Sequence, residues 1–257
     1  MKNCIIIGGS GFLGMNLAKA LSDTGYIVTI VDILPPVEKC KLKNVKFQKI
    51  SYFDSNTLKD VLEGQKILYH FAYSSLPGTS YEKMEEDIAQ NVANSISLFK
   101  AAVKSKVEKI IFPSSGGTVY GETTILPITE TAETNPICSY GITKLMIEKY
   151  LYIFNKLFGI DYLIYRISNV YGPGQNPNGQ QGLIANVLGK LIRSQKISIY
   201  GDGNTIRDYV YIDDVIRVFI SSTLIVGESS DEPAEVYILV VLFIVPSISS
   251  TPNDKDI

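Results

Sequence analysis

The stretch Ile5-Ile6-Ile7-Gly8-Gly9-Ser10-Gly11-Phe12-Leu13-Gly14 decides the fold of this 257-residue chain. Three consecutive isoleucines favour a buried β-strand, and residues 13–22 have the apolar spacing of a helix. Gly8, Gly11 and Gly14 leave room for a tight turn and for close packing of the helix on the strand. A strand, a glycine-rich turn and a helix in this order predict the first unit of an α/β sheet.

The same alternation of strands and helices continues along the chain. Strands are predicted at residues 5–7, 27–31, 45–49, 67–71, 110–113 and 162–166. Helices are predicted at residues 13–22, 58–63, 84–103, 140–158 and 183–194. Most of the strands are apolar on both faces, which is typical of parallel strands covered by helices on two sides. We therefore expect a doubly wound parallel sheet, the Rossmann fold, followed by the start of a smaller C-terminal cap.

The glycine-rich turn also predicts a dinucleotide site, because a pyrophosphate can approach backbone N–H groups at a helix N-terminus there. Asp32 ends the second strand 18 residues after Gly14, where a carboxylate binds the adenosine ribose hydroxyls. A carboxylate repels a 2′-phosphate, and Ile33-Leu34-Pro35 supplies no arginine to bind one. NAD is therefore favoured over NADP. The residues of the turn assigned to NAD are Gly8, Gly11, Phe12, Leu13 and Gly14.

Composition narrows the function classes. Lys and Arg number 24 against 26 Asp and Glu, so the net charge of -2 gives no reason to expect a nucleic-acid partner. Cys4, Cys40 and Cys138 have no metal-ligand spacing and only His70 could join them, so we predict reduced thiols, no metal site and a cytoplasmic location. The apolar run at residues 236–245 is about half of the ~20 residues that cross a membrane, so no membrane partner is expected.

A tyrosine and a lysine form the candidate catalytic pair. Tyr140-Gly141-Ile142-Thr143-Lys144 places a phenol and an ammonium on the same helix face. A neighbouring cation lowers the pKa of a tyrosine from about 10, so that the phenolate can act as a base. In an arbitrary sequence the same spacing arises from surface pairing. His70 lies in an apolar run, which favours a structural role over general-base catalysis.

Further motifs follow in a fixed order. They are Phe53-Asp54, Asn91, Ser114-Ser115-Gly116-Gly117-Thr118-Val119-Tyr120-Gly121, Ser139-Tyr140-Gly141-Ile142-Thr143-Lys144, Arg166-Ile167-Ser168-Asn169-Val170-Tyr171-Gly172-Pro173 and Gly201-Asp202-Gly203-Asn204-Thr205-Ile206-Arg207-Asp208-Tyr209. With the glycine-rich turn, this order resembles the extended short-chain dehydrogenases/reductases, in particular their NAD-dependent nucleotide-sugar epimerase/dehydratase branch and within it the UDP-glucose 4-epimerases. The resemblance extends from the first residue to about residue 236.

The resemblance implies a catalytic role for three residues. Lys144 holds the nicotinamide ribose and lowers the pKa of Tyr140, and a hydroxyl after the fifth strand hydrogen-bonds the sugar O4. In many relatives this hydroxyl lies at the position of Gly116. We assign it to Ser115, the nearest hydroxyl, because the small residues that follow leave room for a sugar ring, and Thr118 is the alternative.

The resemblance also implies cofactor and substrate contacts. On the cofactor side these are Asp54 at the adenine, Phe71 and Ala72 in the cleft, and Asn91 as a cofactor-shell or structural group. On the substrate side they are Asn169 and Arg207 at the diphosphate, Tyr200 on the uracil, and Thr118. Core packing explains Phe71, Ala72 and Tyr200 nearly as well, and a surface salt bridge to Asp208 or Asp213 is the alternative for Arg207.

The choice of reaction depends on which residues follow the candidate hydroxyl. Dehydratases and decarboxylases of the branch resemble one another in carrying an acidic residue there, and this chain has Gly116, Gly117 and Thr118. Epimerase-reductases use an extra Cys/His pair, and His70 lies on the wrong strand. We therefore expect a 4-epimerase that oxidises C4 with NAD and returns the hydride to the opposite face. A 4-ketoreductase or dehydratase is the alternative, and UDP-glucose and its N-acetylated analogue both stay open.

We predict that the chain consists of three segments. Residues 1–168 form an NAD-binding domain, residues 169–237 a partial substrate cap, and residues 238–257 a non-native tail. Relatives continue with Asn-Ile-Gly-Ser-Gly where this chain reads Ile238-Leu239-Val240-Val241, and AAT-ATT-GGT-AGT-GG read one nucleotide late encodes that string. A frameshift would explain this relation, and on this alternative the chain is a remnant that binds NAD with little or no epimerase activity.

The helices at 84–103 and 140–158 carry more apolar residues than one buried stripe requires, and we expect a homodimer.

We predict that Asp32→Ala weakens NAD binding, because each charge-assisted hydrogen bond to the ribose contributes about 1.5–3 kcal/mol. Calorimetric titration of the parent and the variant with NAD and NADP measures the change. The parent should bind NAD more tightly than NADP, and equal or tighter NADP binding contradicts the assignment.

Overall fold

Seven parallel strands form the central sheet of the computed structural model, which describes residues 3–36, 42–51, 55–123, 126–198, 206–224 and 236–239. The strands are β1 (Asn3–Ile7), β2 (Ile27–Asp32), β3 (Val45–Lys49), β4 (Ile67–His70), β5 (Lys109–Ser115), β6 (Asp161–Ile167) and β9 (Val236–Leu239). Their spatial order is β3-β2-β1-β4-β5-β6-β9. This confirms the predicted doubly wound parallel sheet.

Helices cover both faces of the sheet. They are α1 (Phe12–Asp23), α2 (Ser55–Leu62), α3 (Met84–Asp87), α4 (Asn94–Lys104), α5 (Ser139–Phe158), α6 (Leu183–Ile192) and α7 (Ile212–Leu224). A π-helical segment, Ile88–Ala93, joins α3 to α4, so that one long helix runs through all three. Buried residues of α2, α4 and α5 pack on one face of the sheet, and buried residues of α1 and α7 pack on the other.

The strand order reverses between β1 and β4. From β1 the chain proceeds through β2 to β3 on one side, and it then returns to place β4 on the other side. Ile7 pairs with His70 at the carboxyl ends of these two strands. Ligands of open α/β sheets bind in the crevice outside such a reversal, because the connections on its two sides run to opposite faces. The candidate site is therefore expected in the crevice at the carboxyl ends of β1 and β4.

A second, two-stranded sheet lies beyond the carboxyl end of β6. It pairs β7 (Asn169–Tyr171) with β8 (Tyr209–Tyr211), and Asn169 lies opposite Tyr209. The Asn16 side chain on α1 donates a hydrogen bond to the Pro173 carbonyl at 3.2 Å, which ties the loop after β7 to the cofactor helix. The described part of the predicted cap, residues 169–237, contains these elements, α6, α7 and the first two residues of β9.

The predicted elements agree with the observed ones within a few residues. The strand predicted at 45–49 has the observed bounds, whereas α2 begins three residues before the predicted start at residue 58. Ile238 and Leu239, the first residues of the predicted non-native tail, lie in β9 and pair with Arg166 and Ile167. The remainder of that predicted tail lies outside the described residues, and the proposed domain division stays a prediction.

The described part of the chain offers neither a membrane-spanning helix nor a metal-binding cluster. None of its helices has the length and apolarity to span a membrane. None of its His, Cys, Asp and Glu side chains form a cluster of three that could bind a metal ion.

Candidate active site

The glycine-rich turn fits tightly against the end of β4. Gly8 has a φ of +81°, and a Cβ atom there would lie 2.4 Å from the Ala72 backbone nitrogen. A Cβ atom on Gly14 would lie 2.5 Å from the Gly9 Cα. Side chains at these two positions would separate the turn from the sheet and from α1. The N-terminus of α1 is thereby held open in the crevice, at Gly11, for an anionic ligand.

Asp32 lies beside this turn at the end of β2. Its Oδ2 accepts a hydrogen bond from the Ser10 N–H at 3.0 Å, and its Oδ1 lies 3.3 Å from the Leu34 nitrogen. Its carboxylate is only partly buried, so lone pairs stay available to ribose hydroxyls. The turn, the free helix end and this carboxylate together fit a dinucleotide, as the sequence predicts.

The other residues assigned to the cofactor have mixed surroundings. The N–H groups of Phe71 and Ala72 both donate to the Ile7 carbonyl at 2.8 Å, which fixes the backbone against the turn. The Phe71 ring lies 5.2 Å from the Phe219 ring and so contributes to the core. Phe12 and Leu13 are partly buried and pack on the same apolar cluster. The backbones of Phe71 and Ala72 both lie directly against the turn at Gly8.

The candidate catalytic pair lies on the first two turns of α5. Lys144 is 5% exposed, and its Nζ donates to the Pro113 carbonyl at 2.8 Å. Three aromatic rings surround this ammonium, with centroids 4.0 Å away for Tyr73, 4.6 Å for Phe112 and 5.6 Å for Tyr140. Such contacts stabilise a cation that has lost its water shell. The structure thus brings Tyr140 and Lys144 together, with Tyr73 as an unpredicted third member.

Burial has the largest effect on the pKa values of both Lys144 and Tyr140. It lowers the pKa of Lys144 to about 7, although the negative charges of Glu148 and Asp87 act to raise it. Burial also raises the pKa of Tyr140 above its usual value, and Cys138 and Asp87 raise it further. The sequence predicts the opposite direction for Tyr140. The difference arises because the cost of burying a phenolate exceeds any effect of the ammonium, which is hydrogen-bonded to Pro113.

The two candidate hydroxyls for the sugar O4 lie at the end of β5 and in the loop after it. Ser115 is the last residue of β5 and pairs with Ile167. The loop that follows packs directly on α5, because a Cβ atom on Gly141 would lie 2.5 Å from the Thr118 carbonyl oxygen. The Thr118 Oγ1 is buried and has no hydrogen-bond partner among the described residues. Ser115 therefore ends β5, whereas Thr118 lies in the following loop, which packs on α5 next to Tyr140.

A buried ion pair between β6 and α5 supports the loop that follows β5. Arg166 on β6 contacts Glu148 on α5 at 2.6 Å, and it also donates to the Tyr120 hydroxyl at 2.7 Å. The Ser114 hydroxyl donates to the same glutamate. Sequence reasoning missed Glu148. The signal was present, because a glutamate one turn after Lys144 on the same buried helix face requires a cationic partner.

Asn91 has a structural environment. It is fully buried in the π-helical segment, accepts a hydrogen bond from the Ser74 N–H at 2.9 Å and donates to Asp87 at 2.6 Å. These contacts support the structural alternative over a direct contact with the cofactor. His70 is likewise buried at the end of β4, where its Nε2 lies 2.7 Å from the Ser95 hydroxyl.

The predicted substrate residues lie around the small sheet. The Asn169 side chain donates to the Asp208 carbonyl at 2.9 Å. Arg207 is exposed and donates to the Ile206 carbonyl at 3.0 Å. Within the described ranges no ion pair joins it to Asp208 or to Asp213. Asp54 and Tyr200 lie outside the described residues.

Comparison with known proteins places this geometry in a family. The model of the NAD dependent epimerase/dehydratase family matches residues 4–233. A putative UDP-glucose 4-epimerase of Methanocaldococcus jannaschii is 35% identical over 219 residues, which are 83% of this chain and 70% of the relative. A dTDP-4-dehydro-6-deoxyglucose reductase of Escherichia coli is 34% identical over 230 residues, which are 86% of this chain and 72% of the relative.

Solved structures agree with this placement. The UDP-glucose 4-epimerase of Thermotoga maritima with UDP-glucose superposes with a TM-score of 0.84 at 33% identity, over 93% of this chain and 76% of the other. The UDP-N-acetylglucosamine 4-epimerase of Methanobrevibacter ruminantium superposes with a TM-score of 0.84 at 28% identity and the same coverage. The chain therefore belongs to the NAD-dependent epimerase/dehydratase family, and the prediction of NAD as its cofactor is confirmed.

Proposed function

We propose that this protein is a nucleotide-sugar 4-epimerase of the UDP-glucose/UDP-galactose type. The observation that carries the proposal is that the Lys144 ammonium is bonded to the Pro113 carbonyl of β5, while the loop after β5 packs on α5 at Gly141, next to Tyr140. The end of β5 and this loop offer a hydroxyl at Ser115 or Thr118, and the residues that follow Ser115 include no acid for elimination. Relatives named UDP-glucose 4-epimerase support the assignment.

In the proposed mechanism, Tyr140 removes the proton from the sugar O4 and later returns it. Bound NAD supplies the acceptance and return of the hydride at C4. The Lys144 ammonium stabilises the phenolate, for which it must be protonated, and it binds the nicotinamide ribose. Its pKa of about 7 places this requirement within the physiological range.

The hydroxyl that positions O4 is Ser115 or Thr118 in this proposal. Ser115 is the first assignment because it ends β5 next to the small loop. The buried and unpartnered Oγ1 of Thr118 supports the alternative, because a substrate oxygen would satisfy it. Measuring the turnover of Ser115→Ala and of Thr118→Ala separately distinguishes the two assignments.

The nucleotide diphosphate is assigned to Arg207 and Asn169. The exposed guanidinium of Arg207 has further donors available beyond its bond to the Ile206 carbonyl, and a guanidinium binds phosphate in a bidentate manner. Asn169 lies close to Arg207, since its backbone N–H donates to the carbonyl of the next residue, Asp208.

A cytoplasmic location stays part of the proposal, supported by the free thiols of Cys4 and Cys138.

A second candidate is a 4-ketoreductase. It is favoured by the similarity to the Escherichia coli reductase, at 34% identity. A reductase would use the same tyrosine and lysine to protonate O4 while a hydride reaches C4. The two candidates differ in net redox balance, because an epimerase regenerates NAD in each turnover and a reductase consumes NADH.

We further propose a homodimer formed through α5 and the long helix of α3 and α4. Apolar side chains are exposed on both, with Ile142 and Ile153 on α5, Met84 on α3 and Ile88 just after it. Exposed apolar side chains gathered on adjacent helices are typical of a surface that is buried in an assembly. A twofold axis would pair each helix with its copy.

Replacing the catalytic phenol tests the proposed activity. With UDP-galactose as substrate, Tyr140→Phe should lose about 10²–10⁴-fold in turnover, because it removes the acid/base group. Tyr152→Phe, which alters an exposed tyrosine of the same helix, should retain it. The measurement is UDP-glucose formation, with NAD affinity and thermal midpoint as controls. Parental turnover by Tyr140→Phe would exclude the proposed role, and NADH-dependent reduction of a 4-keto sugar without epimerisation would favour the second candidate.

Light scattering at micromolar concentration tests the dimer. The parent should have twice the mass of one chain, and Ile153→Glu should be monomeric because it places a charge in the proposed interface. Leu191→Glu, at an exposed leucine of α6, is the matched control and should stay dimeric. A monomeric parent contradicts the proposal.

A further inference from the structure

One buried carboxylate has no part in the mechanism described so far. Asp87, the last residue of α3, is 4% exposed. No ion pair joins it to a lysine or arginine in the part of the chain that the structure describes. A buried carboxylate without a cationic partner is costly unless hydrogen bonds satisfy it. The groups that surround Asp87 therefore indicate how its carboxylate is stabilised.

Both oxygens of Asp87 accept hydrogen bonds. The Ser75 hydroxyl lies 2.7 Å from Oδ1, and the Asn91 amide nitrogen lies 2.6 Å from the same oxygen. The Ser139 hydroxyl lies 2.6 Å from Oδ2, and the Thr143 hydroxyl lies 3.3 Å from it. Ser75, Asn91 and Ser139 are three donors within 2.7 Å of the two oxygens, whereas the single proton of Thr143 has the Ser139 carbonyl as a nearer acceptor at 2.9 Å. Three short donors fit an ionised carboxylate, which only accepts hydrogen bonds. The negative charge is thus held by neutral groups.

These contacts join three segments around the catalytic pair. Ser75 lies in the loop after β4, which also carries Tyr73 against the Lys144 ammonium. Ser139 and Thr143 lie on the first turns of α5, on either side of Tyr140 in the sequence. A single side chain therefore connects the loop at the end of β4 to the helix that carries both catalytic residues.

The charge of Asp87 also acts on Lys144. Burial lowers the pKa of this lysine, and the two groups that raise it are Glu148 and Asp87. Glu148 has the larger of these two effects, and it is also paired with Arg166. Among the described residues, Asp87 has no cation paired with it. The titratable groups around Lys144 are Tyr140 and Glu148 on its own helix, Asp87 on α3, His70 on β4 and Tyr73 in the following loop.

We propose that Asp87 is a positioning residue of the catalytic pair. Its carboxylate aligns the loop after β4 with the first turn of α5, and it places a negative charge beside the turns of α5 that carry Tyr140 and Lys144. The inference rests on the proposed roles of Tyr140 and Lys144 for its effect on activity. Its effect on the protonation of Lys144 is independent of any reaction.

The direct test is the titration of Lys144 in protein labelled with ¹³C-lysine, followed by the Cε resonance. Comparison with Lys144→Met assigns the resonance. The parent should titrate near pH 7. Asp87→Asn keeps the shape but not the charge, so its midpoint should fall by about one pH unit. Ser139→Ala removes one donor and leaves the charge, so its midpoint should stay within about 0.3 units of the parent.

An unchanged midpoint in Asp87→Asn overturns the proposal, as does an equal fall in Ser139→Ala, which would assign the effect to lost structure. If Asp87→Asn does not fold, Asp87→Ser is the second variant, because it is neutral and smaller and keeps a hydroxyl near Asn91. The same fall is expected for it.

The activity arm measures epimerisation against pH. In Asp87→Asn, the fall in rate on the alkaline side should move to lower pH by the same amount as the Lys144 midpoint, whereas Ser139→Ala should lower the rate without moving the profile. An alkaline side that stays in place while the Lys144 midpoint falls contradicts the role of Asp87 in activity. A parental rate in Tyr140→Phe would instead remove the proposed function and leave the titration result standing.

Discussion

The close approach of backbone to backbone at the reversal of the strand order is the constraint on which the rest of the structure depends. At Gly8 the turn after β1 lies so near Ala72 that no side chain fits between them. The ends of β1 and β4 can therefore close around one crevice, with the N-terminus of α1 and the Asp32 carboxylate on one side. On the other side, β5 and α5 bring Lys144 to the same edge of the sheet. Cofactor and substrate residues can meet only because this junction is made of backbone alone.

The site on the α5 side is held by buried charge. Lys144, Glu148, Arg166 and Asp87 are all nearly inaccessible to water. Glu148 and Arg166 satisfy each other and support the end of β5 and the loop after it, where the candidate hydroxyls lie, whereas Lys144 and Asp87 are each held by neutral groups. Removing one member of a buried pair leaves an uncompensated charge, which typically costs about 3–5 kcal/mol. This arrangement fixes the position of α5 and at the same time sets the protonation of its lysine.

The sequence predicts the sheet well, because three isoleucines in β1 and the apolar runs of β4 and β5 have few alternatives to burial. It also predicts Tyr140 and Lys144, which are close in sequence. It does not predict the π-helical segment, because the segment depends on Asn91 reaching Ser74 and Asp87. Nor does it predict the rise in the pKa of Tyr140, because burial of that phenol is created by distant loops. Contacts between residues far apart in the chain leave no periodic signal.

The proposed 4-epimerisation requires that the hydride leave C4 and return to it within one site. Turnover of UDP-galactose that carries deuterium at C4 tests this claim most directly. The account predicts UDP-glucose that retains the deuterium at C4, with no exchange with the solvent, as followed by mass spectrometry. Loss of the deuterium to water, an elimination product, or the absence of UDP-glucose with NAD bound would contradict it.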